Sequence, residues 1–328
     1  MAHVTDDTRT DHRALAAAAV TVVLWASAFV SIRASAEHYA PGALALGRLL
    51  IASLALGCVF LIKRGTLPDR RAWPGIAASG VMWFGVYMVA LNWGEQMVDA
   101  GTASMLVNIG PVVIALLSGW LLKEGFPPLL LAGMAVSFAG AALVGLSMSG
   151  GGPSSLTGVL LCLVAAVTYA AGVVAQKPAL RYASPMQVTT FGCFAGAAVC
   201  LPFAGQLLAD LPEAPLPATL NLVYLGLFPT ALAFSTWAFA LNRTTAGKLG
   251  ATTYAVPAVV VLMSWITLGE VPGWLTLLGG AVCLAGVAVS RLPSRRPAAP
   301  ATPAAPAAPE QPPGPVTEAT GEGLDARR

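Results

Sequence analysis

Polar residues are sparse in this chain and come in clusters, so most of its length divides into long apolar blocks between short polar breaks. A helical block of 18 or more mostly apolar residues matches the hydrocarbon core of a bilayer, about 30 Å thick at about 1.5 Å of rise per residue. Ten such helices are predicted, near 14–33, 41–62, 73–94, 100–122, 129–148, 156–176, 184–208, 217–241, 247–268 and 273–291. Most breaks between them are short, which favours antiparallel neighbours in one bundle. The pattern predicts an all-α integral membrane protein.

Two segments fall outside it. Residues 1–13, "MAHVTDDTRTDHR", are polar and acidic, with neither the basic flank nor the small-residue cleavage site of a signal peptide. From Pro293 the chain turns rich in proline and alanine, with Pro297, Pro300, Pro303, Pro306, Pro309, Pro312 and Pro315 recurring every third residue. That is the repeat of a polyproline II helix, and 293–328 is expected to be a disordered tail.

Composition agrees with the pattern: 56% of the 328 residues are hydrophobic and 10% are charged, against about 25% charged in soluble domains. The placement of charge says more than its amount. Fourteen basic residues fall on one side of the predicted spans: Arg9, Arg13, Lys63, Arg64, Arg70, Arg71, Lys123, Lys177, Arg181, Arg243, Lys248, Arg291, Arg295 and Arg296. Arg33 alone falls on the other. Basic loops stay in the cytoplasm, so both termini are expected there. The five cysteines, Cys58, Cys162, Cys193, Cys200 and Cys283, all lie in predicted spans and read as small buried hydrophobes. No metal, cofactor or nucleic-acid partner is expected; the expected partners are a small-molecule substrate and the bilayer.

The chain repeats itself. Residues 100–124, "AGTASMLVNIGPVVIALLSGWLLKE", agree with 246–270, "AGKLGATTYAVPAVVVLMSWITLGE", at 8 of 25 positions without a gap, among them Pro111 with Pro257 and Glu124 with Glu270. "WASAFVSIR" (25–33) parallels "YAAGVVAQK" (169–177), and "ALN" recurs at 90–92 and 240–242. Each copy, 14–148 and 156–291, holds five predicted spans. An odd number inverts the second copy in the membrane, and inverted repeats are an architecture of secondary transporters that hold solute near the midplane. The expected fold is ten transmembrane helices in two five-helix inverted-topology repeats.

Counting residues from the span ends sets depth. Pro111 lies eleven residues into the fourth span, roughly 16 Å deep by helical rise. Pro257 lies as deep from the other face. Each removes a backbone donor, freeing the carbonyl of Val107 or Thr253, and both are candidate hinge or gating positions. Asn108 and Tyr254 stand three residues before them. Trp25 and Tyr169 are repeat-equivalent, and Tyr87 and Trp237 match in the "ALN" register. These residues, with Trp83, are candidates to line a central cavity; the alternative for each is packing. Arg48 is the one charge well inside a span, and intramembrane charges are expensive enough to mark function or to snorkel. No carboxylate lies at mid-membrane, so the coupling candidates are the helix-end acids Glu95, Glu124 and Glu270. Catalytic Ser/His or Asp/Asp constellations and a nucleotide-binding GxxxxGK[ST] are missing from the sequence, and no catalytic residue is assigned.

These stretches resemble the drug/metabolite transporter superfamily, specifically permeases with two tandem EamA-type domains. The likeness is carried by "WASAFVSIR", the arginine of "LGRLLIASL", "ALNWGEQMVDAGTASMLVNIGPVVIALLSGWLLKE" and "YLGLFPTALAFSTWAFALNRTTAGKLGATTYAVPAVVVLMSWITLGE", within about 14–291. It implies a ten-helix inner-membrane permease that exports amino acids, other small metabolites or drugs by alternating access, with the fifth and tenth helices peripheral. Gly133, Ser137, Ala141 and Gly145, a small-residue stripe suited to close helix contact, agree with that. Arg48 departs from the symmetry, since Gly192 falls near its register in the second copy. The alternatives are a membrane-embedded enzyme or sensor, and an importer or exchanger of the same fold.

Overall fold

The structure is a computed structural model that describes residues 11–121, 128–147, 153–243, 249 and 252–290. Every regular element among them is helical. In chain order these are α1 (His12–Ser35), α2 (Pro41–Ile62), α3 (Arg70–Glu95), α4 (Ala100–Val107), α5 (Gly110–Leu121) and α6 (Pro128–Ser147). They continue with α7 (Pro153–Ala179), α8 (Pro185–Glu213), α9 (Leu216–Arg243), α10 (Ala255–Leu268) and α11 (Trp274–Ser290). Six of them, α1, α2, α3, α7, α8 and α9, are long and apolar enough to cross a membrane, and the rest are shorter apolar helices.

Local chemistry sets the ends. Asp11 accepts hydrogen bonds from the first free N–H groups of α1, Asp99 does the same for α4, and Ser184 with Gln187 forms a capping box on α8. Pro41 opens α2, where a missing N–H costs nothing. At the far end of α10, Gly269 takes a left-handed conformation (φ 69°), so that the N–H groups of Gly269 and Glu270 close back on the Trp265 and Ser264 carbonyls.

Two expected spans differ in form. The fourth is two helices, α4 and α5, parted at Asn108 and Ile109 one turn before Pro111, which cannot donate to the carbonyl four residues earlier. The helical part of the ninth starts only at Ala255, after a turn at Thr253 and Tyr254 that precedes Pro257 in the same way. Elsewhere α8 and α9 run on to Glu213 and Arg243, a few residues beyond their expected ends.

Packing depends on small residues. α6 and α11 lie so close that a Cβ on Gly140 would stand 2.5 Å from the Cys283 main-chain nitrogen, and Ser137 Oγ donates to the Cys283 carbonyl at 3.1 Å. Their outer faces leave Leu131, Phe138, Leu146 and Leu278 exposed, which suits contact with hydrocarbon. Two longer helices contain a π-helical stretch, Gly80–Val86 in α3 and Gly226–Leu232 in α9. Each opens on a glycine pressed against a neighbour's backbone: Gly80 against the Gly192 carbonyl of α8, and Gly226 against the Arg48 carbonyl of α2.

Candidate functional site

The two helix breaks meet. Asn108 Nδ2 donates at 3.1 Å to the Thr253 carbonyl, to which Pro257 has no N–H to give and which the Val256 N–H also meets at 3.0 Å. Because Nδ2 is the donor there, Asn108 Oδ1 is an acceptor, and it is buried with no partner among the described residues. Around this junction α1, α3, α7 and α9 supply aromatic rings. Trp25 packs on Trp237 with centroids 4.9 Å apart and edge-on to Trp83 at 6.0 Å. Trp83 in turn meets Tyr169 at 5.3 Å and Phe234 at 4.8 Å. These are the spacings of favourable ring contacts, so the walls are stiff as well as apolar.

The one buried cation enters from α2. Arg48 is 3% exposed, and its Nε donates to Thr230 Oγ1 at 3.0 Å. Thr230 Oγ1 donates onward to the Leu225 carbonyl at 2.7 Å. Pro229 has no N–H to give that carbonyl; the threonine hydroxyl donates to it and presents a lone pair to the arginine. No other hydrogen bond to Arg48 occurs among the described residues, which leaves the Nη nitrogens of its fork available.

These groups line a cavity that is open on one side. Of the residues proposed from the sequence, Trp25, Arg48, Trp83, Tyr87, Asn108, Tyr169 and Pro111 line it. Trp237 stands behind Trp25 instead, and Tyr254 packs beside Val112. Pro257 is buried in α10 outside the lining. The wall positions near them are Phe234, Thr253 and Val256. The reason at Trp237 is register. "ALN" repeats at a spacing of 150, whereas the π-helical stretches start at Gly80 and Gly226, a spacing of 146, so Tyr87 corresponds to Ala233, beside Phe234. Phe234 carries no signal that separates it from a lipid-facing phenylalanine. Thr230 had one, the proline before it.

Of the acids, Glu95 is 0% exposed at the end of α3, and Glu270 holds Arg33 at 2.9 Å across the ends of α10 and α1. Glu124 lies outside the described residues. Arg33 also donates from Nη1 to the Glu95 main-chain oxygen at 3.2 Å. A second pair, Arg243 with Asp11 at 3.2 Å, ties the end of α9 to the start of α1. Outside the bilayer blocks, Asp11 is held below the usual carboxylate range by the Ala14 N–H and then by Arg243.

The EamA-like transporter family matches this chain twice, over residues 12–146 and 156–292. The chain belongs to that family. A "Probable terminal-alkyne amino-acid exporter" of Streptantibioticus cattleyicolor is 38% identical over 279 residues, 84% of this chain and 92% of that one. The "Uncharacterized transporter YdfC" of Bacillus subtilis is 36% identical over 269 residues, 82% of this chain and 88% of its own. A "Probable amino-acid metabolite efflux pump" of Salmonella typhimurium is 23% identical over 282 residues, 83% of this chain and 93% of its own. A solved crystal structure shares the fold at a TM-score of 0.61 and 23% identity, covering 86% of this chain and 99% of the other. This EamA-family member is thus a multi-pass membrane protein of transporter kind.

Proposed function

We propose that this EamA-family protein is a secondary transporter that exports small amino-acid-like metabolites across the inner membrane by alternating access to the central cavity. The observation that carries the reading is the cavity itself: stiff aromatic walls with one guanidinium fork, one amide acceptor and the unpartnered Trp25 Nε1. A carboxylate suits Arg48 in bidentate geometry, an ammonium suits Asn108 Oδ1 and the ring faces, and an apolar side chain suits the rest. The amino-acid substrates in the names of two relatives fit the same chemistry.

Ten spans arranged as inverted repeats, 14–148 and 156–291, supply the mechanism. What supports them is the correspondence of parts. Pro111 matches Pro257 in sequence, each follows a break, and Gly80 meets the Gly192 carbonyl as Gly226 meets that of Arg48. Gly192 is therefore the counterpart of Arg48 in packing as in register. Halves that are alike but not identical can exchange conformations, opening the cavity to one face and then the other. Cytoplasmic termini follow from the basic loops.

Counterflow in proteoliposomes is the test. Liposomes loaded with unlabelled L-phenylalanine, L-leucine or L-propargylglycine should take up the labelled solute transiently, and the cognate amines without a carboxylate should not compete. Monodisperse protein that exchanges none of a wider panel of amino acids and nucleosides would refute the transport reading.

A further inference from the structure

Glu95 is fully buried, and neither of its carboxylate oxygens has a hydrogen-bond partner among the described residues. An ionised carboxylate so placed lacks the compensation that burying a charge requires. A cation is already beside it. Arg33 donates from Nη1 to the Glu95 main-chain oxygen at 3.2 Å while its Nε holds Glu270 Oε1 at 2.9 Å. Glu270 Oε2 is itself buried without a partner. One guanidinium bonds the Glu270 carboxylate and the main chain of Glu95, and the Glu95 carboxylate has no cation bonded to it among the described residues.

We infer that Glu95 is a proton-binding site and that Arg33 is the counter-ion it captures on losing the proton, at the expense of Glu270. The step is simple: the carboxyl O–H breaks, its electron pair stays on Glu95, the proton leaves to water, and the guanidinium keeps all its protons. Arg33 then exchanges one carboxylate for the other, and the clasp between the ends of α1 and α10 is released. The inference rests on the transport reading, in which that seam is the outer mouth of the path. It turns a transporter without an evident energy source into one that a proton gradient can drive.

The other groups around Glu95 do not replace Arg33. Arg48 also faces it, from α2, but its Nε is held by Thr230 and its Nη nitrogens are the groups assigned to the solute. Asp99, before α4, is occupied by the Thr102 N–H at 2.9 Å and the Thr102 hydroxyl at 2.6 Å. Tyr87 on α3 itself and Cys162 from α7 also face Glu95 and carry no positive charge.

Spin labels test this without any solute, with the proton as the probe. Ala34 is exposed at the end of α1 and Val271 is 55% exposed just past α10. Ala34→Cys and Val271→Cys are introduced with Cys58→Ser, Cys58 being the exposed one of the five cysteines. In nanodiscs, the distance between the labels should lengthen by about 5 Å as pH rises from about 4 to about 9. Glu95→Gln should hold the short distance at every pH. Glu270→Gln, which removes the carboxylate half of the clasp, should hold the long distance at every pH. A wild-type distance that ignores pH, or a Glu95→Gln variant that responds like wild type, overturns the inference. If Glu95→Gln gives no monodisperse protein, Glu270→Gln decides alone, and a distance in that variant that still switches with pH as in wild type overturns the inference. Loss of counterflow with this switch intact would instead refute the transport reading and leave the proton site standing.

Discussion

Gly140→Val should destabilise the protein without touching the cavity. A Cβ at Gly140 would lie 2.5 Å from the Cys283 main-chain nitrogen and 2.6 Å from the Gly279 carbonyl oxygen. Ordinary contact begins near 3.4 Å, and both clashing atoms are backbone, so no side chain can rotate away. The helices must part by roughly 1 Å, at the about 1–3 kcal/mol typical of overpacking. Parting them also strains the reciprocal pair in which Ser137 Oγ donates to the Cys283 carbonyl (3.1 Å) and Cys283 Sγ donates to the Ser137 carbonyl (3.2 Å). Such bonds average about 0.6 kcal/mol each inside membrane proteins, so the total is about 2–4 kcal/mol. At about 2–4 °C per kcal/mol, melting should fall by about 4–16 °C. The assay is heating with a thiol-reactive dye, since Cys162, Cys193, Cys200 and Cys283 are buried and become reactive on unfolding. Gly205→Val is the control, because a Cβ there meets nothing within 4 Å. Counterflow per folded molecule should stay within about twofold, because no residue of α6 or α11 lines the cavity. A Gly140→Val protein that melts with wild type, or a Gly205→Val protein that falls as far, would refute the packing argument.

Arg48→Lys keeps the charge but loses the fork and the fixed Thr230 contact, so solute affinity in counterflow should weaken by about tenfold, and unchanged affinity would mean that Arg48 only snorkels. Pro257→Ala restores an N–H that competes with Asn108 Nδ2 for the Thr253 carbonyl; transport should fall further than folded yield, and equal losses would assign the proline to structure. Asp11 titrates below the ordinary carboxylate range, so its contribution is complete above that range and is lost as pH falls through the lowered value. Hydrogen exchange over the first turn of α1 should therefore accelerate only below about pH 4 in wild type, but at every pH in Asp11→Ala.

Much of this was legible because depth in a bilayer can be counted. An apolar block has two ends and a fixed rise, so Trp25, Tyr87, Pro111 and Tyr169 were placed at comparable depth before any helix was packed, and all four line the cavity. Rotation about the helix axis was not legible. In water, the buried face declares itself by being apolar; in a membrane both faces are apolar, so Phe29, Leu91 and Phe234 look the same in sequence as the lipid-facing Phe138 and Leu146. Symmetry stands in for rotation only when the register is right. The three letters of "ALN" were too short to fix it, and the result was Trp237, one turn from the wall. Glu95 reads as an acid at a helix end because sequence counts distance along one helix. It is buried because α1, α2, α4 and α7 close around that end.

The prolines connect binding with movement. Backbone polarity at membrane depth has no water to meet, so every carbonyl a proline frees must find a side chain or a wet cavity. Here the Thr253 carbonyl, to which Pro257 cannot donate, is met by Asn108 from the other break as well as by the Val256 N–H, and the Leu225 carbonyl, to which Pro229 cannot donate, is met by the Thr230 hydroxyl, which in turn orients Arg48. Each replacement bond crosses a point where a helix has lost its own ladder and can bend. The groups that present a donor or an acceptor to a solute are therefore the groups that hold the hinges shut. On the proposed reading, a solute that engages Asn108 Oδ1 or the Arg48 Nη nitrogens pulls on side chains whose other atoms make those bonds, so its binding is felt at the hinges. Variants at Asn108 and Thr230 should accordingly change apparent affinity and maximal rate together. A variant of either residue that altered affinity alone, with the rate of exchange at saturating solute unchanged, would separate the site from the hinge and break this link.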